Sequence, residues 1–239
     1  MFRVFQDSLE VLSDENRHHL LNVVRLNPDE EFEIVASGKV YRAIYDDGLK
    51  ILREVENSHE TRIPIHLYMA LIKQDKFELA LEKTTEVGVT SITPVIFKRS
   101  VVNIKGKEYK KLLRWQKILE SAAKQSKRDI IPTINSPEKL EDIDFKGILI
   151  VPYECAEEIY IDDVLKDTKD IKDIKDIEDI KDIEEISILI GPEGGFDESE
   201  IEYLKTLGCN IVTLGTRILR AETAAIVACY QVGINEVVR

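Results

Sequence analysis

The sequence predicts an α/β fold in which a small β-rich segment precedes a larger segment built on a parallel sheet. From residue 64 onward apolar strands alternate with helices, and parallel sheets are built from this alternation. Before residue 60, short strands are separated by Ser37-Gly38 and Asp46-Asp47-Gly48, which favour hairpins. We therefore expect one domain over residues 1–60 and a second over residues 64–239.

The first segment contains one predicted helix and three predicted strands. The helix covers Asp14–Leu26 and begins at Ser13 or Asp14, because both are N-cap residue types. The strands cover Phe32–Val35, Val40–Ile44 and Lys50–Val55. Together these elements predict a small domain that resembles a β-barrel.

A strand–helix–strand unit opens the second segment. The strand Pro64–Leu71 is almost wholly apolar, and the helix Phe77–Val87 is closed by Gly88, a typical C-terminal capping glycine. The strand Ser91–Phe97 follows. The next helix, Tyr109–Ser126, is amphipathic and carries lysines and arginines on its polar faces.

A further strand, Gly147–Val151, is followed by a repetitive stretch. From Lys169 to Ile183 the triplet Lys/Glu-Asp-Ile occurs five times in succession. A period of three drifts around an α-helix, so its isoleucines do not stay on one face. We therefore expect a surface helix or loop inserted at about residues 166–185.

The strand Ile188–Ile190 leads into a glycine-rich loop, Gly191-Pro192-Glu193-Gly194-Gly195-Phe196, and then into a helix capped by Asp197. This loop lacks the Lys-Ser/Thr pair of a phosphate-binding loop and the spacing of a dinucleotide fingerprint. Glu193 would repel phosphate, whereas a carboxylate suits ribose hydroxyls, a base edge or a cationic ligand. The alternative is a tight turn with a solvated glutamate.

The strand Asn210–Leu214 leads through residues 215–220 into the apolar helix Ala221–Val232. We expect this helix to be buried, either beneath the ligand loops or against a partner subunit. Ligands bind at the loops that leave the carboxyl ends of parallel strands, so both loops are candidate sites. Arg217 and Arg220 in the second loop require anionic partners, either RNA phosphate or a nearby carboxylate.

Charge is distributed unevenly along the 239 residues, whose net charge is −12. Residues 154–186 carry 14 acidic and 5 basic side chains, whereas residues 98–129 carry 11 basic and 3 acidic ones. The basic stretch is a candidate phosphate footprint, with a solvated helix face as the alternative. The three cysteines are unclustered and the histidines lack a ligand spacing. We therefore expect reduced thiols, no metal and no membrane span in a cytoplasmic protein.

Two motifs near the end of the chain, LIGPEGGF and LGTRILRAETA, resemble the signature pair of the 16S rRNA (uracil-N3)-methyltransferase family of the SPOUT superfamily. LIKQDKFELALEKTTEVGV and TPVIFKRSVV resemble the first methyltransferase segment of that family, with Lys76 where the family has arginine. HHLLNVVRLNPDEEFEI resembles its PUA-like domain, although Pro28-Asp29-Glu30 replaces a Gly-Asp turn. The family pattern Gln-Ser-x-Arg…Pro is matched over residues 125–132.

This resemblance implies an enzyme that uses S-adenosylmethionine to methylate N3 of a uridine in 16S rRNA and releases S-adenosylhomocysteine. It implies a PUA-like RNA-binding domain ahead of a SPOUT-type α/β domain whose chain forms a trefoil knot. It also implies a homodimer whose partner is 16S rRNA or the small ribosomal subunit.

The resemblance and the chemistry together give roles to named residues. Arg220 or Arg217 would stabilise the uracil anion or a flanking phosphate, and Glu222 or Glu193 would take the proton, a choice that the sequence leaves open. The expected cofactor-binding residues are Gly191, Pro192, Glu193, Gly194, Gly195, Leu214, Gly215, Ile218, Leu219, Thr223 and Ala224. The expected RNA-binding residues are Arg3, Arg25, Lys76, Arg99, Gln125 and Arg128.

Three other functions compete with this interpretation. A methyltransferase of another RNA, such as tRNA, would share the cofactor loops but not the HHLLNVVRL and QSKR segments. A non-enzymatic RNA-binding protein on the same scaffold would have damaged loops, and both loops are intact. A small-molecule α/β enzyme would leave the basic stretch without a purpose.

Overall fold

The computed structural model describes residues 1–56, 59–156, 158–170 and 184–237, and its contacts divide the chain into two compact units. Unit 1 comprises Met1–Glu60 and Ser121–Ile131, and unit 2 comprises Thr61–Glu120 and Pro132–Arg239. Most of the Lys-Asp-Ile repeat lies outside the described residues.

Unit 1 is built on a four-stranded sheet with the strands β1 (Arg3–Phe5), β2 (Phe32–Ala36), β3 (Lys39–Tyr45) and β4 (Leu49–Val55). Their order in the sheet is the same as their order in the sequence. Strand β1 pairs parallel with β2, and the other neighbours pair antiparallel. The three predicted strands are confirmed, whereas β1 is too short to show an alternating pattern and was not predicted.

The helix of unit 1 differs from its prediction. The α-helix α1 covers only Asp14–His18, and the chain continues as a π-helix over His19–Val24. The wider π turn changes which side chains face the sheet. Leu20 is fully buried, but Val23 is 62% exposed.

Unit 2 is built on a seven-stranded sheet in which every pairing is parallel. The strands are β5 (Ile65–Ala70), β6 (Ser91–Ile96), β7 (Thr133–Ile134), β8 (Glu138–Lys139), β9 (Ile148–Pro152), β10 (Ile186–Ile190) and β11 (Asn210–Val212). The order is β11-β9-β10-β5-β6-β7, with β8 also pairing with β6. The predicted mixed α/β fold with a parallel sheet is confirmed.

Five helices accompany this sheet in the described part of the chain. They are α2 (Gln74–Glu86), α3 (Glu108–Gln125), α4 (Ile161–Asp170), α5 (Glu198–Thr206) and α6 (Ala221–Val237). Helix α4 was not predicted, because the sequence pattern indicated only an insert from about residue 166. Helix α6 packs against β5, β10, α2 and α4, which buries the face that carries Ala225, Ala228 and Cys229. Its opposite face exposes 53% of Tyr230 in the single chain, so burial of that face against a partner subunit stays a prediction.

Local sequence signals set the ends of two of these helices. Asp197 accepts a hydrogen bond from the Ser199 N–H, and Glu200 accepts one from the Asp197 N–H at 2.8 Å, so α5 begins with a capping box. Helix α2 ends before Gly88, whose φ of +105° lies in the left-handed region that glycine adopts without strain.

Candidate functional site

A cavity of about 630 Å³ lies where the loops after β5, β9 and β10 meet the first turn of α6. It is lined by Lys73, Lys76, Pro152, Glu154, Ile190, Gly191, Pro192, Glu193, Gly195, Phe196, Ile218, Leu219, Arg220, Ala221, Glu222 and Ala224. These strands are neighbours in the sheet, and their carboxyl ends meet at one edge. The position agrees with the expectation that both motif loops serve one site.

The glycine loop, defined as residues 191–196, exposes backbone to this cavity because side chains do not fit at two of its positions. A Cβ on Gly191 would lie 2.8 Å from the Phe196 ring. Gly195 has a φ of +71°, which strains any other residue, and a Cβ there would lie 3.0 Å from Glu154 Oε1. The Gly195 N–H donates to the Pro192 carbonyl at 2.9 Å, which closes the turn.

Gly194 is different from its neighbours. Its φ is not in the left-handed region, and a Cβ there would meet the Arg99 side chain at 3.6 Å, an ordinary contact distance. It also does not line the cavity in the described structure. Substitution of Gly194 is therefore a poor test of this site.

The charged side chains around the cavity fall into two groups. Glu222 is buried, with 8% of its side chain exposed, and its Oε1 lies 3.9 Å from Lys76 Nζ. Lys73, Glu154, Glu193 and Arg220 are exposed at the cavity edge. The site therefore holds one shielded carboxylate beside an ammonium group, and solvent-exposed charges at its mouth.

The structure brings together most of the residues predicted to bind the cofactor. Gly191, Pro192, Glu193, Gly195, Ile218, Leu219 and Ala224 line the cavity, as do the candidate catalytic residues Arg220 and Glu222. Gly194, Leu214, Gly215, Thr223 and Arg217 do not line it. Arg217 is exposed.

Six lining residues were not among the predicted site residues: Ile190, Phe196 and Ala221 adjoin predicted ones, whereas Pro152, Glu154 and Lys73 lie in other parts of the sequence. The last three are informative. Glu154 and Pro152 follow or end β9, and Lys73 directly precedes α2. All three stand at the carboxyl end of a strand of the predicted parallel sheet. Their position at strand ends could have predicted them as site residues, but only if the strand order had been known, in which β9 and β5 flank β10.

Two of the predicted RNA-binding arginines are buried in unit 1. Arg3 is 6% exposed and pairs with Glu33 at 2.8 Å and with Asp129 at 2.9 Å. Arg128 is 2% exposed and pairs with Glu60. A buried guanidinium that already has a carboxylate partner is not accessible to phosphate, so we remove both arginines from the RNA-binding set.

The remaining RNA-binding candidates occupy three different environments. Arg25 and Gln125 are exposed. Lys76 lies in the cavity beside Glu222. Arg99 contacts the glycine loop and α5 through the Gly194 carbonyl and Asp197, each at 3.3 Å.

The described residues contain neither a membrane-spanning helix nor a metal-binding cluster. No helix among them is long and apolar enough to cross a membrane. No group of three or more His, Cys, Asp or Glu side chains there has the arrangement of a metal site.

Comparison with known proteins gives consistent matches. Residues 59–233 match the family model of an RNA methyltransferase domain. The chain is 32% identical over 238 residues to the ribosomal RNA small subunit methyltransferase E of Mesomycoplasma hyopneumoniae, covering 95% of this chain and 96% of that protein. It is 31% identical over 230 residues to the protein of the same name from Aquifex aeolicus, covering 90% and 94%.

Solved structures of methyltransferases are also similar to this protein over almost the whole chain. The ribosomal RNA small subunit methyltransferase E of Neisseria gonorrhoeae, bound to S-adenosylmethionine, superposes with a TM-score of 0.79 at 28% identity and 98% coverage of both chains. A putative methyltransferase of Legionella pneumophila, also in complex with this cofactor, superposes with a TM-score of 0.78 at 27% identity and 98% coverage of both chains. The chain therefore belongs to the family of RNA methyltransferases that contains the ribosomal RNA small subunit methyltransferases E.

Proposed function

We propose that this protein transfers a methyl group from S-adenosylmethionine to N3 of a uridine in the 16S rRNA of the small ribosomal subunit. The observation that carries the proposal is the cavity lined by both motif loops, Gly191–Phe196 and Ile218–Ala224. Full-length relatives named as small-subunit rRNA methyltransferases support the reaction, and two similar structures with bound S-adenosylmethionine support the cofactor.

The residues of the cavity fit this cofactor. Its volume of about 630 Å³ lies within the range of about 300–1,000 Å³ that is usual for small-molecule sites. The bare backbone at Gly191 and Gly195 allows close approach of an adenosine, and Glu193 or Glu154 can accept hydrogen bonds from ribose hydroxyls or an ammonium group. Lys73 suits the cofactor carboxylate. When bound, S-adenosylmethionine supplies an electrophilic methyl group.

The chain itself must favour the deprotonated form of the uracil ring, because N3 carries a proton. We assign Arg220 to stabilise the developing anion, since it lines the cavity and Arg217 does not. We assign Glu222 rather than Glu193 as proton acceptor, because Glu222 is shielded from bulk water while Glu193 is exposed. Lys76, whose Nζ lies 3.9 Å from Glu222 Oε1, would hold this carboxylate in place beside the cavity.

The wider arrangement of the molecule is also part of the proposal. Unit 1 would act as a PUA-like RNA-binding domain, with Arg25 and Gln125 on its accessible surface. The chain of unit 2 would form a trefoil knot, as the resemblance of the two motifs LIGPEGGF and LGTRILRAETA implies. A cytoplasmic homodimer would use the exposed face of α6, where 53% of Tyr230 and 41% of Ile234 are accessible.

Calorimetric titration with S-adenosylmethionine and S-adenosylhomocysteine tests the cofactor site. The chosen variant is Gly195→Ala, because its φ of +71° and the nearby Glu154 make a Cβ unfavourable. Gly208→Ala is the matched control: Gly208 has a φ of +72°, a Cβ there would meet nothing within 4 Å, and it does not line the cavity.

We expect micromolar binding by the wild type and by Gly208→Ala, and binding at least about tenfold weaker by Gly195→Ala. A left-handed alanine costs roughly 1–2 kcal/mol at either position, but only at Gly195 does the strain fall on the loop that lines the cavity and bring a Cβ to 3.0 Å from Glu154 Oε1. Equal loss in both variants would indicate general destabilisation rather than a site. No binding by the folded wild type would refute the proposed function.

Methylation of rRNA tests the substrate. Purified small subunits and naked 16S rRNA that lack the modification are incubated with the enzyme and radiolabelled cofactor. Nuclease digestion and mass spectrometry then identify the product nucleoside. N3-methyluridine in 16S rRNA is the expected product, whereas label in tRNA alone, or at another atom of the base, would contradict the substrate or the position.

A further inference from the structure

Residues 97–100, the loop segment after β6, are bound to the glycine loop and to the start of α5. The Arg99 guanidinium donates to the Gly194 carbonyl and to Asp197 Oδ2, both at 3.3 Å. Lys98 Nζ donates to Ser199 Oγ at 2.6 Å. Neither contact follows from sheet pairing, because β5 separates β6 from β10 in the sheet.

A buried carboxylate joins the same two segments through backbone groups. Glu200, which is 4% exposed, accepts the Lys98 N–H at 2.8 Å with Oε1 and the Asp197 N–H at 2.8 Å with Oε2. One side chain therefore caps α5 and holds the loop after β6. A carboxylate that accepts two backbone N–H groups is strongly fixed in position.

Aromatic packing also connects the loop after β6 to the glycine loop. Phe97 contacts Phe196 edge to face, with their ring centroids 5.4 Å apart. Phe196 in turn lies so close to Gly191 that a Cβ on this glycine would be 2.8 Å from the ring. Residue 97 and the backbone that lines the cavity are thus connected through one ring.

We propose that Lys98 and Arg99 are positioning residues for the cofactor: they hold the glycine loop in its binding conformation. The proposal rests on the proposed function, because it needs a cofactor at that loop. It reassigns Arg99, which was expected from the sequence to contact RNA.

The contacts of Arg99 are suited to holding a loop. Asp197 is charged at neutral pH, and hydrogen bonds from the Ser199 hydroxyl and backbone N–H lower its pKa further. The guanidinium therefore bridges a carboxylate and the carbonyl of a loop glycine. Because 47% of the Arg99 side chain is exposed, we expect it to contribute modestly to global stability and more to local order.

The direction of the change in cofactor affinity on removal of Arg99 distinguishes a positioning role from a direct effect of its charge. S-adenosylmethionine carries a net positive charge at neutral pH, so removing a nearby cation would by itself tighten binding. Because Arg99 does not line the cavity, loss of affinity on its removal is the result expected of a positioning role and not of long-range charge.

The test measures cofactor affinity without RNA in Arg99→Met, Arg99→Lys and Lys105→Met. Lys105 is an exposed cation of the same basic stretch and has no assigned role in the site. Titration calorimetry gives the Kd, and hydrogen exchange of residues 191–200 reports the order of the loop. We expect affinity about 3- to 10-fold weaker and faster exchange in Arg99→Met, partial rescue in Arg99→Lys, and no change in Lys105→Met.

Steady-state kinetics provide the second readout. A positioning role predicts a higher KM for the cofactor with a nearly unchanged kcat in Arg99→Met. Wild-type affinity in Arg99→Met together with weaker RNA binding would overturn the inference and restore Arg99 as an RNA contact. Equal losses in Arg99→Met and Lys105→Met would also overturn it. Failure of the wild type to bind cofactor would instead refute the proposed function.

Discussion

Replacing Arg3 with methionine should destabilise unit 1 rather than weaken RNA binding directly. Arg3 donates to Glu33, to Asp129 and to the Arg128 carbonyl at 2.8–2.9 Å, and its side chain is 2% exposed. Methionine fills similar volume but leaves two nearly buried carboxylates without this partner. Removing one member of a buried ion pair costs about 3–5 kcal/mol.

The expected loss is large for a unit of this size. Glu33 retains a contact with Arg42 at 3.3 Å and Asp129 retains the His59 N–H at 2.9 Å. We therefore expect the lower end, about 3 kcal/mol, out of a typical total of about 5–15 kcal/mol. A small domain shifts its Tm by about 4–8 °C per kcal/mol, so the first unfolding transition should fall by at least about 10 °C.

Arg25→Met is the matched control, because Arg25 is an exposed arginine of the same unit and was also an RNA-binding candidate. Thermal unfolding followed by circular dichroism, with hydrogen exchange of peptides from residues 1–56, locates the change. Arg25→Met should stay within about 0.5 kcal/mol of the wild type. An Arg3→Met protein with wild-type stability and a reduced salt dependence of RNA binding would refute the assignment of Arg3 as a structural residue.

Three further predictions concern single side chains. Lys76→Met should lower kcat about tenfold while Lys76→Arg retains activity, because Glu222 would lose its ammonium partner at 3.9 Å; equal rates in single-turnover assays would contradict this. Glu78→Gln should cost about 0.5 kcal/mol at neutral pH, since the arginine partner on α3 lowers the Glu78 pKa. Because the pKa of Glu78 is lowered in the folded state, the ionised side chain stabilises the fold above the ordinary titration range of glutamate, and this stability is lost as pH falls through the folded-state pKa. In acid, the wild type and Glu78→Gln should therefore have the same free energy of unfolding by urea. Cys155 should react with maleimide in the native protein and Cys229 should not, because burial raises the pKa of the Cys229 thiol while Cys155 is exposed; mass spectrometry of labelled peptides distinguishes the two.

The parallel sheet could be predicted because its strands are apolar runs bounded by clear helix signals. Ile186–Ile190 and Ile65–Ala70 are buried strands. Asp197 and Gly88 mark helix ends by local chemistry that does not depend on tertiary contacts. The short strand Arg3–Phe5 lacked such a signal, because three residues carry no period and its pairing with β2 is long-range.

Among the residues that line the site, those of the two motif loops could be predicted from the sequence, and those from other strands could not. Residues of the two loops line one cavity because β10 and α6 are adjacent to each other in the fold. Glu154 and Lys73 reach the same cavity from strands that are distant in sequence. Their placement follows from the strand order, which composition and periodicity do not determine.

Positive charge in a sequence does not indicate which cations are available to a nucleic acid. The basic stretch 98–129 carries 11 lysines and arginines, yet several of them are engaged by the protein itself. Arg114 forms a bidentate pair with Glu78 at 2.6 and 2.7 Å, and Arg128 is buried against Glu60. Such pairing fixes a guanidinium in place and neutralises it locally, so it adds little counterion release on binding RNA. The same chemistry that makes arginine a good phosphate ligand, a planar fork of donors, also makes it the residue that orders acidic segments of its own chain. Arg3 and Arg99 were both expected to bind RNA, and both contact carboxylates of the protein.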